Sequence, residues 1–393
     1  MSKPKSVKAR KCPLCGMPMR RNGFTKANRQ RWRCNACAIS VTPGRRDAAR
    51  MAEFRAFLAW LTGKESMSVA AARLGVTRQT FANRVSWCWN VAPRIPPDGV
   101  AHRYIEVDGT YVPYGWCLLV ATGQDGTPIA WQWADRESRA AYRRLFDRIV
   151  EPDTLVCDGG VGSISAAREH FRHMGIQRCL VHVLRNTRTD LTAHPKSQAG
   201  RDLLQLAKRL TRVRNADDAA GWLVDLNRWH AEHGAFIKEK THAGQDPLNA
   251  HGRKWWWTHE RVRRAYWRFI RLQRDGMLFT FCQPNHVDDP VTASTTNQLE
   301  GGVNAQIKRL LDHHRGLSEH HMKRCCEWAT YLLTEHAKPE TFVTPECWTR
   351  TINTPHETHE PLPGTETGIQ QAAPGINAYE HGFGIRKGWA GHT

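Results

Sequence analysis

The sequence predicts a mixed α/β protein: a sheet with acids at its strand ends, interrupted by a helical insertion and preceded by two small basic modules. Three observations carry that expectation. Two Cys-x-x-Cys pairs stand within the first 37 residues. β-branched and aromatic runs broken by turn signals fill Tyr104 to Cys157. Between Asp158 and Glu300 lie 141 residues, too many for one helix and a loop, and their pattern is helical. A chain of 393 residues exceeds one ordinary core and asks for several modules.

Charge narrows the partner. With 57 Lys+Arg against 37 Asp+Glu the formal net charge is +20; long-range attraction and counterion release then favour a polyanion, nucleic acid ahead of an anionic membrane surface. Residues 1–50 hold 14 Lys+Arg against Asp47 alone, a local net of +13. The cationic start lacks the apolar stretch of a signal peptide, and "GWCLLVATG" reaches about half the roughly 18 apolar residues of a membrane span. A soluble intracellular protein is expected, its twelve cysteines serving as metal ligands and buried thiols rather than disulfides.

Taken in order, the first module is "CPLCGMPMRRNGFTKANRQRWRCNAC". Cys12 and Cys15, then Cys34 and Cys37, supply four thiolates with 18 residues between the pairs, the spacing of a zinc ribbon. A closed four-sulfur shell makes this zinc structural. Arg20, Arg21, Lys26, Arg29, Arg31 and Arg33 with Trp32 suit phosphate contacts. In "SMSVAAARLGVTRQTFANRVSWCW", Ser68 is expected to cap a short helix ending at Leu74. Gly75 breaks it, and Thr77 caps a second helix with Phe81, Val85 and Trp89 or Cys88 on one face. Arg78, Gln79, Asn83 and Arg84 then face outward, as in a helix-turn-helix that enters a major groove; such helix pairs also occur in proteins that bind no DNA. "VAPRIPPDG" is a proline-rich hinge.

Strands are expected at "YIEVDGTYV", at Trp116–Ala121 and Pro128–Trp133 as a hairpin about Gln124-Asp125-Gly126, and at Thr154–Cys157. A helix carrying Tyr142, Leu145, Phe146 and Ile149 precedes the last strand, and a helix near Ser163–His173 follows it. Asp108 and Asp158 stand at or near strand ends, where ligands collect in α/β sheets. In "TTNQLEGGVNAQIKRLLDHH", Thr296 or Asn297 caps a helix with Glu300, Asn304 and Lys308 on one stripe, Asn304 and Lys308 being expected to contact DNA, and Val303, Ile307 and Leu310 or Leu311 on another. Three carboxylates gathered together can clamp two hard cations for phosphoryl transfer.

The zinc ribbon, "YIEVDGTYV", "LVCDGG", "RCLVHVLRN" and "STTNQLEGGVNAQIKR", in that order, make the chain resemble the Mutator-like DDE transposases of bacterial insertion sequences. The resemblance implies an RNase H-like sheet with an all-helical insertion. Asp108, Asp158 and Glu300 would be its catalytic residues and the ligands of two Mg²⁺ ions, Mn²⁺ serving as a substitute. It implies hydrolysis at an element end and attack by the freed 3′-hydroxyl on target DNA. Double-stranded DNA is then the partner, a homodimer or larger assembly pairs the ends, and the protein is cytoplasmic and nucleoid-associated. Cys179 and His182 match the family's Cys/Asp-x-x-His signature, with a structural or DNA-contacting role beside the site. On their own they read equally as a buried cysteine and a satisfied histidine; as half of a second zinc site they lack partners, "CQPNH" at Cys282–His286 being weak. Glu106 shares the Asp108 face, either supporting the site from behind or facing solvent, and solvent is expected.

The division that follows is 1–45 zinc ribbon; 46–97 helix-turn-helix and hinge; 98–187 and 291–337 the two parts of the catalytic domain; 188–290 helical insertion; 338–393 a C-terminal tail, extended or ordered only against a partner. In the insertion, Trp222, Leu226 and Trp229 share a face. "RKWWWTHERVRRAYWRFIRLQR" mixes eight Lys+Arg with Trp255, Trp256, Trp257, Tyr266, Trp267 and Phe269, rings expected mainly in the insertion's core but also able to stack on an extruded base. The competing functions are a catalytically inert, sequence-specific DNA-binding regulator and a nuclease that cuts without joining.

Overall fold

The structure, a computed structural model, describes residues 10–12, 15–26, 28, 30–42, 45–282 and 293–349. Arg29, His286, the Asn297 side chain and the tail from 350 on lie outside the described residues. Two compact units are present: residues up to Arg94 with those from Gln306 onward, and Ile95–Ala305.

The first unit opens with a three-stranded antiparallel sheet, β1 (Met19–Phe24), β2 (Gln30–Cys34) and β3 (Ser40–Val41), in sequence order. Its apolar cluster is only Cys12, Met19 and Cys34 with Trp32, Cys37, Ile39 and Val41 against them, so the cysteines are a large part of what this sheet can bury. Helix α1 (Arg45–Thr62) buries Phe54, Phe57, Trp60 and Leu61. Helices α2 (Met67–Arg73) and α3 (Arg78–Val85) follow. The cap of α2 is Ser66, not Ser68: Ser66 is the last extended residue and its hydroxyl accepts from Val69 N, whereas Ser68 is already inside the helix. Thr77 caps α3 as expected, accepting from Thr80 N. Phe81 and Val85 are buried, and a 3₁₀ turn at Ser86–Asn90 carries Trp87, Cys88 and Trp89 inward.

The second unit is built on five strands. β4 (Tyr104–Val112), β5 (Trp116–Thr122) and β6 (Pro128–Ala134) form an antiparallel meander. Helix α4 (Arg139–Phe146) crosses to β7 (Thr154–Cys157), parallel to β4, and α5 (Val161–His170) crosses to β8 (Gly175–Arg178), parallel to β7. The order β6-β5-β4-β7-β8 places β4 at the centre. Ile105, Val107, Leu119 and Leu155 pack against Tyr142, Leu145, Phe146, Ala166 and Ala167 of the crossover helices. That is the arrangement the period-2 and period-3.6 patterns demand.

Helix α6 (Leu180–Leu191) leads into the insertion: α7 (Gln198–Leu210), α8 (Ala216–His233), β9 (Lys240–His242), β10 (Trp255–Trp257) and α9 (Glu260–Arg274). Trp222, Leu226 and Trp229 are buried together, and the two indole N–H groups donate to Leu206 O and Ala199 O. The expectation of an all-helical insertion needs correction, because β9 and β10 pair antiparallel. So does the expectation that the tryptophans fill the core: Trp255 is exposed and Trp256 and Trp257 half-buried, while Tyr266 and Phe269 are the rings in the core. Cations cover the strand instead, with Lys240 Nζ 4.1 Å from the Trp255 ring and Arg263 3.9 Å from Trp257.

Asp190 of α6, fully buried, ties this insertion to the rest of the unit. Arg264 Nε donates to it at 2.7 Å and Arg268 Nη2 at 2.6 Å, both from α9. Removing the carboxylate leaves two guanidinium groups facing an apolar interface, so Asp190→Ala is expected to cost about 3 kcal/mol or more. A denaturation midpoint unchanged by that substitution would show that the bridge holds nothing.

After β10 and α9 the chain reaches α10 (Asn297–Leu299), which runs directly into a π-helical turn at Glu300–Asn304 and then α11 (Ala305–His313). From Gln306 on, the chain is part of the first unit, with α12 (Glu319–Tyr331) and α13 (Pro345–Thr349). There the Trp328 ring meets Phe54 edge-on at 5.5 Å. Helix α13 lies in the segment expected as a C-terminal tail; Trp348 meets Trp87 at 5.6 Å, and Asn90 Nδ2 donates to Cys347 O.

Candidate metal and catalytic site

Parallel pairing of β4 with β7 sets Val107 beside Cys157, so Asp108 and Asp158, one residue further on each strand, come together where β7 ends. Asp158 is fixed by the Gly160 amide, which donates to Oδ1 at 2.8 Å. Gly159 between them has φ +89°, and a Cβ there would fall 0.9 Å from Arg178 Nη1, so this turn admits only glycine. Asn304 Nδ2 donates to Asp108 Oδ2 at 2.7 Å.

A third acid joins the pair, and it is Glu137. One carboxylate oxygen each of Asp108, Glu137 and Asp158 lie within 4.8 Å of one another. Burial first, then the charges of Glu137, Asp158 and Glu300, push the Asp108 carboxyl well above the usual carboxylate range. Burial followed by Asp158 pushes Glu137 up to about 7. Three acids gathered in a half-buried place, two of them raised by burial and by their neighbours, are a donor set of hard oxygens short of positive charge. That fits a divalent cation such as Mg²⁺.

Glu300 groups elsewhere. An oxygen of its carboxylate lies within 4.8 Å of both a His182 ring nitrogen and Cys179 Sγ. Thr296 Oγ1 donates to Glu300 Oε1 at 3.0 Å, His182 Nδ1 stands 3.5 Å from Oε1, and Arg185 Nη2 stands 3.7 Å from Oε2. Cys179 is the residue before α6 and His182 is in its first turn. Burial would raise the Cys179 thiol, but His182 and the Thr296 amide outweigh it and hold the thiol below its ordinary value. Burial likewise opposes charge on His182, yet Cys179, Asp158 and Glu300 pull its pKa up. The π turn places Glu300 and Asn304 on the same flank, with Gly301 and Gly302 between them; such turns concentrate at functional sites.

Glu106 does not face solvent. It is fully buried, and its Oε2 accepts from Leu299 N at 3.1 Å, inside the helix that carries Glu300. Alternation correctly places it with Asp108, but α10 covers that face of β4. Burial pushes Glu106 up to about 7, against the Leu299 amide that lowers it. Glu106→Ala is expected to lose about 1–3 kcal/mol of stability and to slow catalysis through a displaced Glu300. Glu106→Gln, which keeps an acceptor for Leu299 N, should recover most of both; equal melting and cleavage for wild type and the alanine variant would remove this role.

Of the other expected contacts, Arg78, Gln79, Asn83 and Arg84 are all exposed on α3, Gln79 Nε2 donating to Asn83 Oδ1 at 2.9 Å, and Lys308 is exposed on α11. Cys12, Cys15, Cys34 and Cys37 meet in one cluster, with sulfur separations of 3.5 Å for Cys12–Cys37 and 3.4 Å for Cys15–Cys34.

Acids presented at adjacent strand ends of a mixed sheet define the class: an α/β domain with a carboxylate site suited to a hard cation. The family model for the Mutator family of transposases matches residues 103–246, a stretch that contains Asp108, Glu137, Asp158, Cys179 and His182. Over this segment, 144 of the 393 residues, the chain is similar to the Mutator family of transposases, which supports a transposase role on DNA at a coarse level. No curated protein matches the chain. Among the described residues no helix is long and apolar enough to cross a membrane.

Proposed function

We propose that the chain is a DDE-type transposase of a bacterial insertion sequence: it binds the inverted repeats at the ends of its own element, hydrolyses a phosphodiester there and transfers the 3′-hydroxyl strand to target DNA. The observation that carries the reading is the convergence of Asp108 and Asp158 at neighbouring strand ends within the family-matched segment. The strand sequence, three antiparallel and then two parallel, supports an RNase H-like sheet.

In this reading Asp108, Asp158 and Glu300 hold two Mg²⁺ ions. Bound there, the ions lower the pKa of an attacking water and take up charge on the leaving oxygen. The chain's own residues do the rest. Asn304 orients Asp108, the Gly160 amide orients Asp158, and Thr296, His182 and Arg185 hold Glu300. The four-cysteine cluster holds one structural Zn²⁺ as a ribbon. Arg78, Gln79, Asn83 and Arg84 at the start of a helix-turn-helix read the repeat, with Lys308 available to a phosphate. Pairing two ends calls for a homodimer or larger assembly.

The test is incubation of the protein with Mg²⁺ and oligonucleotides carrying the element ends. Nicked and joined products support the transposase. Binding with neither product supports the inert regulator, and nicking without joining supports the nuclease.

A further inference from the structure

We propose that Glu137 is a third carboxylate ligand of the cation held between Asp108 and Asp158. The proposal rests on the reading of that cluster given above and adds a residue to it, leaving Glu300, in its Thr296–His182–Arg185 pocket, to serve the other metal position.

Glu137 sits at the passage from β6 into α4, directly before Ser138, whose hydroxyl caps α4 by accepting from Ala141 N. The cap fixes the backbone, and two contacts fix the side chain. Tyr142 OH, fully buried, donates to Glu137 Oε2 at 2.7 Å. The carboxyl lies over Gly109, where a Cβ would come within 2.6 Å of Glu137 Cδ. An oxygen is thereby brought within 4.8 Å of those of Asp108 and Asp158. A surface acid would not need a glycine beneath it and a buried phenol behind it.

A second observation points to a ligand in the same place. Asn304 is 3% exposed and aims into the cluster, its Nδ2 spent on Asp108, yet its Oδ1 has no hydrogen-bond partner among the described residues. A buried acceptor with no donor among the described residues, beside three clustered acids, is the complement of a hydrated metal ion: the ion answers the carboxylates, and its water answers the amide oxygen.

The experiment measures Mn²⁺ binding to the full, zinc-loaded chain by the loss of the free-ion paramagnetic resonance signal. Glu137→Gln is expected to weaken Mn²⁺ about 10- to 100-fold. Its melting temperature without added Mn²⁺ should be unchanged or higher, because the amide still accepts from Tyr142 while one repelling charge is gone. Gly109→Ala, which pushes the Glu137 carboxyl aside, should weaken Mn²⁺ similarly and decides the matter if Glu137→Gln does not fold. Mn²⁺ affinity within about threefold of wild type for Glu137→Gln overturns the proposal, as does a lowered melting temperature with affinity intact, which would mark a structural role. Asp158→Asn separates the two levels: if it loses Mn²⁺ and Glu137→Gln does not, only Glu137 is misassigned, whereas if neither loses it the cluster itself is not the metal site.

Discussion

On the proposed function, Asp108→Asn and Asp158→Asn are each expected to reduce Mg²⁺-dependent cleavage and joining by at least about a thousandfold, roughly 4 kcal/mol of transition-state stabilisation. The substitutions are chosen to change charge and little else. A carbonyl oxygen at either position can still accept from Asn304 Nδ2 or from Gly160 N, so the geometry around the site has no reason to collapse. Fold stability should therefore not fall: burial and three neighbouring acids already disfavour the charged form of Asp108, and removing one negative charge relieves its neighbours. This opposition separates a chemical from a structural role. An acid kept for the fold would lose melting temperature and activity together. Full cleavage by either amide variant would show that the reaction occurs elsewhere, and Glu300→Gln should share the loss of activity.

What the sequence made legible, and what it did not, divides along physical lines. Tyr104–Val112 and Thr154–Cys157 stand where period-2 apolar patterning puts them, because a central strand must bury Ile105, Val107, Leu155 and Cys157. Alternation says which residues share a face but not whether a second layer covers it, and so Glu106 was assigned to water when α10 lies over it. Glu137 was missed because it belongs to no periodic run. Its signal was the one that picked out Asp108 and Asp158, an acid at the end of a strand, here β6 with a helix cap immediately after. The π turn was hidden for a related reason: two glycines in "LEGGVN" give a helix freedom to widen, but only the contacts of Glu300 and Asn304 make it do so. Strand β8, "GIQR", is too short and polar to announce itself and is defined by its neighbour β7. The tryptophan run Trp255–Trp257 read as core because rings usually are, whereas Lys240, Arg253 and Arg263 supply cationic cover that composition cannot reveal.

Stripping the proposed zinc from the N-terminal cysteines is expected to unfold the three-stranded sheet β1–β3 while leaving the sheet of the second unit folded. Tetrahedral zinc with bonds of about 2.3 Å sets its sulfurs about 3.8 Å apart, and the separations here are 3.5, 3.4 and 3.6 Å for Cys12–Cys37, Cys15–Cys34 and Cys15–Cys37. The Cys37 backbone amide draws the Cys34 thiol down to about 6, while burial and the neighbouring thiols push Cys37 up to about 12. Among the described residues the apolar cluster of this sheet is three buried residues and their few neighbours, so a metal would supply much of what holds it. One zinc per chain should be released by a thiol-specific reagent, and Cys34→Ser should purify without it. Because residues 1–50 carry a local net of +13, the loss reaches DNA binding: affinity at moderate salt should fall by at least about tenfold, with a shallower dependence on salt as organised phosphate contacts disappear. The carboxylate site, built wholly within Ile95–Ala305, should still bind Mn²⁺ in the serine variant. A zinc-free protein whose DNA affinity and salt slope match the wild type would mean that the ribbon's fold and the chain's grip on DNA are independent, and that the basic N-terminus acts by charge alone.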